Sequence, residues 1–173
     1  MHRWIFVFLI MAGFVSAKDT KPNILFIMAD DLGWMDLAVQ GNKLVDTPHL
    51  DRLAKQGMRF TDAYAAAPVC SPTRCAVLTG QAPARIGLTT HLPGMYFPKD
   101  NRPQPAVLTK QLNTEYVTIA ERMREAGYKS AFLGKWHIAS SVGKGGKVAP
   151  ELSPIGQGFD INIGGTSYGG PPS

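Results

Sequence analysis

Asn23-Ile-Leu-Phe-Ile-Met-Ala29, followed at once by Asp30-Asp31, is a short apolar run that opens after Pro22 and stops at two carboxylates. A run without polar alternation predicts a strand buried on both faces, as in a parallel sheet. Downstream, helical and strand-like segments take turns. Thr47-Pro48 predicts a helix start, with Thr47 as N-cap and Pro48 at the first helical position. Leu50, Leu53 and Ala54 line one face of that helix and Gly57 ends it; Met58 to Tyr64 reads as a second strand. Ser71-Pro72 predicts another short helix running towards Gly80, and 86–111, rich in proline and glycine, reads mostly as loop. Thr114 is expected to cap a helix whose apolar residues Tyr116, Ile119, Ala120 and Met123 share one face, with Gly127 as its end. Tyr128 to Leu133 is then a third strand, closing at Gly134-Lys135-Trp136-His137. The alternation predicts an α/β class with a largely parallel sheet flanked by helices.

No internal repeat interrupts this order. From Val142 onward the chain turns glycine- and proline-rich, and its last thirty residues are expected to pack against nothing in particular. Three strands rarely complete a sheet, so 18–173 reads as the N-terminal part of a longer, truncated catalytic domain. Residues 1–17 read as a secretory signal: His2 and Arg3 are basic, Trp4 to Val15 is apolar, and Val15-Ser16-Ala17 supplies small residues before Lys18. The alternative is an uncleaved anchor, but the apolar stretch is short for a bilayer. Export, periplasmic or extracellular, with no stable membrane association, is the expectation.

Composition narrows the function. Of 173 residues, 45% are hydrophobic and 18% charged, the balance of a folded globular protein. The net charge of +5 is scattered rather than gathered into a basic face, which argues against nucleic acid as a partner. The cysteines are Cys70 and Cys75. In an exported chain a disulfide is the first thought for such a pair, yet a turn running into a helix separates their Cα atoms too far for easy closure. Neither CxxC nor paired-histidine spacing accompanies them, so zinc is poorly supported.

In open α/β sheets ligands gather at the carboxyl ends of strands, and three groups of reactive residues fall there. Asp30 and Asp31 follow the first strand, Cys70 to Arg74 occupy the turn after the second, and Lys135 and His137 follow the third. Adjacent carboxylates repel unless a cation sits between them, and hard oxygen ligands suit calcium or magnesium; a solvated Asp-Asp turn is the bland alternative. Cys70 precedes a helix start, where backbone N–H groups favour a thiolate, although a buried structural cysteine satisfies the spacing equally well. Arg74, one turn later, can bind an anion bidentately. His49 reads as a surface or capping residue, and His91 as a candidate lining residue of a cleft. Trp34 and Trp136 read as packing or cleft-wall residues, and Arg85 as a support for the helix after Cys70.

Pro68-Val-Cys70-Ser71-Pro72-Thr73-Arg74-Cys-Ala-Val-Leu-Thr79-Gly80 resembles the first signature of the sulfatase family along its full length. Gly127-Tyr-Lys-Ser-Ala-Phe-Leu-Gly134-Lys135-Trp136-His137 resembles the second, departing only at Leu133, where a smaller or β-branched residue is more usual. Pro22-Asn23-Ile-Leu through Asp30-Asp31-Leu-Gly33 is similar to the family's first strand and metal-binding pair. The resemblance covers roughly residues 21 to 165. It implies an alkaline-phosphatase-like fold, present as its N-terminal portion, and hydrolysis of sulfate esters of small molecules or glycans.

It also implies roles. Cys70, in Cys-x-Pro-x-Arg, would be oxidised to formylglycine by a formylglycine-generating maturation enzyme and act as a hydrated aldehyde. Asp30 and Asp31 would hold calcium together with an oxygen of the modified Cys70. Arg74 would hold the formylglycine, Lys135 would contact it and the sulfate, and His137 would hydrogen-bond its second hydroxyl. One hydroxyl would attack sulfur and expel the alcohol; His137 would then take the other hydroxyl's proton as sulfate leaves. Family members run to several hundred residues, and their remaining calcium and sulfate ligands map onto nothing in this chain. A phosphate or phosphonate ester hydrolase and a non-catalytic anion-binding domain are the rival readings.

Overall fold

The computed structural model describes residues 21–93, 107–142 and 146–168. The secretory-signal reading and part of the expected 86–111 loop lie outside these residues.

The fold is a small α/β piece with a parallel sheet and helices. Its helices are α1 (Pro48–Gln56), α2 (Cys70–Thr79), α3 (Pro83–Ile86) and α4 (Ile119–Glu125), and its strands are β1 (Ala131–Leu133) and β2 (Ile161–Ile163). Single 3-10 turns form at Ala38–Gln40 and Pro150–Leu152. The strands pair in parallel, Ala131 opposite Ile161 and Leu133 opposite Ile163. The ladder runs on past their ends, where Gly134 N–H donates to the Ile163 carbonyl at 2.8 Å and His137 N–H to the Thr166 carbonyl at 3.1 Å.

Several expectations hold. The helix from Pro48 ends at Gly57, and α2 ends at Gly80, whose φ of +67° lets its N–H return to the Ala76 carbonyl. Gly127 follows the last turn of α4 with φ +81°. Both cysteines are free.

Others fail for identifiable reasons. Residues 23–29 form no strand, and Ile24 to Ile27 are exposed, because among the described residues β1 and β2 pair only with each other and offer that backbone no neighbour. Met58 to Tyr64 fails in the same way. Thr114 does not cap α4. Thr118 does, its hydroxyl accepting the Glu121 N–H at 3.2 Å while the Glu121 carboxylate accepts the Thr118 N–H at 2.7 Å. This reciprocal pairing needs a Glu or Gln three residues after the cap, which Thr118 has and Thr114 lacks. Within the described residues after Val142, 146–168, part of the segment packs against the core: Leu152, Pro154 and Gln157 are buried, and β2 supplies half the sheet.

The core joins α2, α3, the loop ends and the return segment through Cys75, Leu78, Ile86, Leu88, Leu92, Leu112, Trp136, Ile138 and Leu152. Phe132, Trp136 and Phe159 meet edge to face, with ring centroids 5.0 to 6.3 Å apart. That geometry sets the negative face of one ring against the positive edge of the next. The Trp136 indole N–H donates to the Leu152 carbonyl at 2.9 Å, so Trp136 is a packing residue.

Candidate active site

The carboxyl end of β1 and the first turns of α2 face the segment that carries Asp30. Arg74 Nη2 lies 3.0 Å from Asp30 Oδ1 and Lys135 Nζ lies 2.6 Å from Asp30 Oδ2. Arg74 Nη1 also donates to the Lys135 carbonyl, which ties α2 directly to the end of β1. Arg74 is buried and Asp30 partly exposed, so one carboxylate bridges two cations at the edge of the core. Burial pushes the Asp30 carboxyl up, but hydrogen bonds and charges from Lys135 and Arg74 outweigh it and hold the group below its ordinary value. Three of the sequence-identified residues, more than forty positions apart in pairs, are thus in direct contact.

His137 is buried. Its Nε2 lies 2.7 Å from the Leu92 carbonyl, and its Nδ1 is buried without a partner among the described residues. Burial lowers its pKa, as do the charges of Lys135, Arg74 and His91, against the opposing pull of the Leu92 carbonyl; the ring is neutral at pH 7. Asp31 and His137 are the non-glycine residues with positive φ among those described, +57° and +53°. Left-handed backbone at non-glycine residues is uncommon and gathers at functional sites.

Cys70 opens α2 and is half-buried, its side chain making neither a hydrogen bond nor an ion pair among the described residues. Asp31 makes no side-chain contact of either kind there. Cys75, on the same helix, is fully buried, and burial pushes its thiol up to about 12. Two participants escaped sequence reasoning. Ser71, buried beside Cys70, accepts the Leu92 N–H at 3.0 Å, and Leu92 carries the carbonyl that meets His137. Ser71 stands inside the quoted motif and was findable. The Leu92 contribution is backbone and leaves no mark in sequence.

No group of three or more His, Cys, Asp or Glu side chains able to hold a metal ion is gathered among the described residues. Two adjacent carboxylates on one rim are nevertheless hard oxygen donors, the kind calcium takes.

The family model described as Sulfatase matches residues 22–169. The chain belongs to the sulfatase family. The pig N-acetylgalactosamine-6-sulfatase (Sus scrofa) is 38% identical over 166 residues, which is 91% of this chain and 28% of that protein. The mouse steryl-sulfatase (Mus musculus) is 41% identical over 146 residues, 83% of this chain and 22% of its own length. Bovine arylsulfatase A (Bos taurus) is 40% identical over 147 residues, 85% and 26%. Among solved structures, Ps i-CgsB matches with a TM-score of 0.65 and 37% identity, over 82% of this chain and 27% of that one. This chain therefore spans about a quarter of the length of the sulfatases it matches, and its fold is a portion of the alkaline-phosphatase-like architecture they share.

Proposed function

We propose that the whole protein hydrolyses sulfate esters, ROSO3⁻ plus water giving ROH plus sulfate, at the rim where Asp30, Arg74 and Lys135 meet. One observation carries the reading. A single carboxylate is held between two cations, one rooted in α2 and one after β1, inside the segment that matches the family. Such a cluster fixes positive charge where an anionic ester can be met without reorganisation.

Cys70 is the residue proposed for conversion to formylglycine by a maturation enzyme. Asp30, Asp31 and the modified Cys70 are proposed to hold calcium, in part, since two carboxylates and one further oxygen fall short of its usual six to eight or so ligands. Bound there, calcium would lower the pKa of a coordinated hydroxyl. The chain's own groups do the rest. Arg74 braces Asp30 against α2, Lys135 presents its ammonium to the sulfate, and neutral His137 accepts a proton.

A sulfated small molecule or glycan is the proposed substrate. The relatives carry the names N-acetylgalactosamine-6-sulfatase, steryl-sulfatase and arylsulfatase A, and Ps i-CgsB has been solved with k-i-k-neocarrahexaose. Export, with cleavage before Lys18, belongs to the same proposal and rests on the signal-like residues 1–17. No helix among the described residues is long and apolar enough to cross a membrane.

The test is paired turnover of a chromogenic aryl sulfate and the matching aryl phosphate by the whole protein with calcium. Sulfate should be the better substrate, and Lys135→Ala should lower kcat/KM about 100-fold or more. Faster phosphate turnover would move the protein to the phosphate ester hydrolases, and no turnover of either would favour a non-catalytic anion-binding domain.

A further inference from the structure

The residue next to Cys70 is linked to His137 by a path that passes through one backbone unit. The Ser71 side chain is 0% exposed, and its Oγ accepts the Leu92 N–H at 3.0 Å. The carbonyl of the same Leu92 stands 2.7 Å from His137 Nε2. A carbonyl can only accept, so the ring must donate there, and Nε2 carries the hydrogen. In a neutral imidazole Nδ1 then holds the lone pair, and Nδ1 is the buried ring nitrogen left without a partner among the described residues. His137 N–H is spent on Thr166, which fixes the backbone beneath the ring in its left-handed conformation.

We infer that Ser71 is a positioning residue for His137: through Leu92 it locks the imidazole in the Nε2–H form and leaves Nδ1 as the one basic atom available to the site. A plain packing role does not account for the arrangement. Packing needs only a small side chain at position 71, whereas here the hydroxyl satisfies a buried N–H whose own carbonyl sets the neighbouring ring. Arg74 makes a parallel tie from the same helix to the Lys135 carbonyl, two residues before His137. The first turns of α2 therefore carry Cys70 and hold both the Lys135 backbone and the His137 ring in register with it. Proton accounting is simple. Nδ1 gains a proton from the reacting group, Nε2–H stays on Leu92, and the ring becomes a cation facing the Leu92 carbonyl.

The inference rests on the proposed hydrolysis for its catalytic meaning, but its first readout does not. The whole protein, labelled with 15N histidine, is examined by NMR at neutral pH. A protonated Nε2 and an unprotonated Nδ1 at His137 are expected, and the reverse assignment would overturn the inference even if the enzyme were active. Ser71→Ala should blur this into a mixture of tautomers. On the aryl sulfate it should lower kcat roughly 10- to 100-fold with little change in KM, and Ser71→Thr, which keeps the hydroxyl, should restore much of both. Unchanged ring signals and unchanged kcat in Ser71→Ala would overturn it. If Ser71→Ala fails to fold, the wild-type ring signals decide alone. If the wild type turns over no sulfate ester yet shows the Nε2–H ring, and Ser71→Ala loses it, the positioning role stands and the hydrolase reading falls.

Discussion

Trp34 and Trp136 are the same residue in two regions of one chain, 81% and 1% exposed. Trp136 sits in a cage of aromatic edges with its N–H satisfied. Trp34 belongs to a limb, 21–64, in which neither the 3-10 turn nor α1 buries a residue and Leu25, Phe26, Met58 and Tyr64 all stand open. Among the described residues, the buried apolar side chains run from Pro72 to Pro154, and none lies in the limb. The limb is not poorer in apolar residues than the closed region. What separates them is the supply of neighbours: α2 to β2 closes on itself, whereas the limb carries apolar surface that the described residues do not cover. The limb nevertheless ends its apolar run on Asp30, the carboxylate to which the closed region delivers Arg74 and Lys135.

This contrast can be broken most easily with the two tryptophans. In the 173-residue chain, Trp136→Ala should cost about 3–5 kcal/mol in urea denaturation, the loss expected when a caged indole becomes a cavity. Trp34→Ala should stay within about 0.5 kcal/mol. A cost above roughly 2 kcal/mol at Trp34 would show the limb to be packed in solution.

A smaller effect sharpens the junction. Asp30→Asn removes the charge shared by Arg74 and Lys135 and should cost about 1 kcal/mol at neutral pH, since the carboxylate is partly exposed to solvent, while Asp31→Asn should cost less than about 0.5. Because the folded Asp30 carboxyl is held below its ordinary value, the wild-type advantage should be full above the unfolded pKa of about 3.9. It should then vanish as the pH falls through the folded value. Equal costs for Asp30 and Asp31 would mean that the two ion pairs contribute nothing specific.

The same contrast explains how far the sequence could be read. The apolar run at 23–29 predicts burial on both faces, but burial needs strands on either side, and the described chain supplies only β1 and β2. Ile161-Asn162-Ile163 gave no signal, being three residues whose partner lies thirty positions earlier. Local chemistry was more legible. Gly57, Gly80 and Gly127 mark helix ends where expected, and Thr118 with Glu121 could have replaced Thr114 as the cap on inspection. Asp30, Arg74 and Lys135 were readable as residue types at strand and helix ends. That they touch is a property of three-dimensional closure alone. The tie from Ser71 to His137 was hidden because its middle link is backbone.

The account turns on Cys70, half-buried at the start of α2, being chemically set apart from the buried Cys75 on the same helix. Coexpressed with formylglycine-generating machinery, the protein is digested and its peptides are treated with a hydrazide and read by mass spectrometry. Position 70 should carry an aldehyde that reacts, while Cys75, buried with its thiol pushed up to about 12, should remain a thiol. An aldehyde at position 75, or at neither position, would contradict the account.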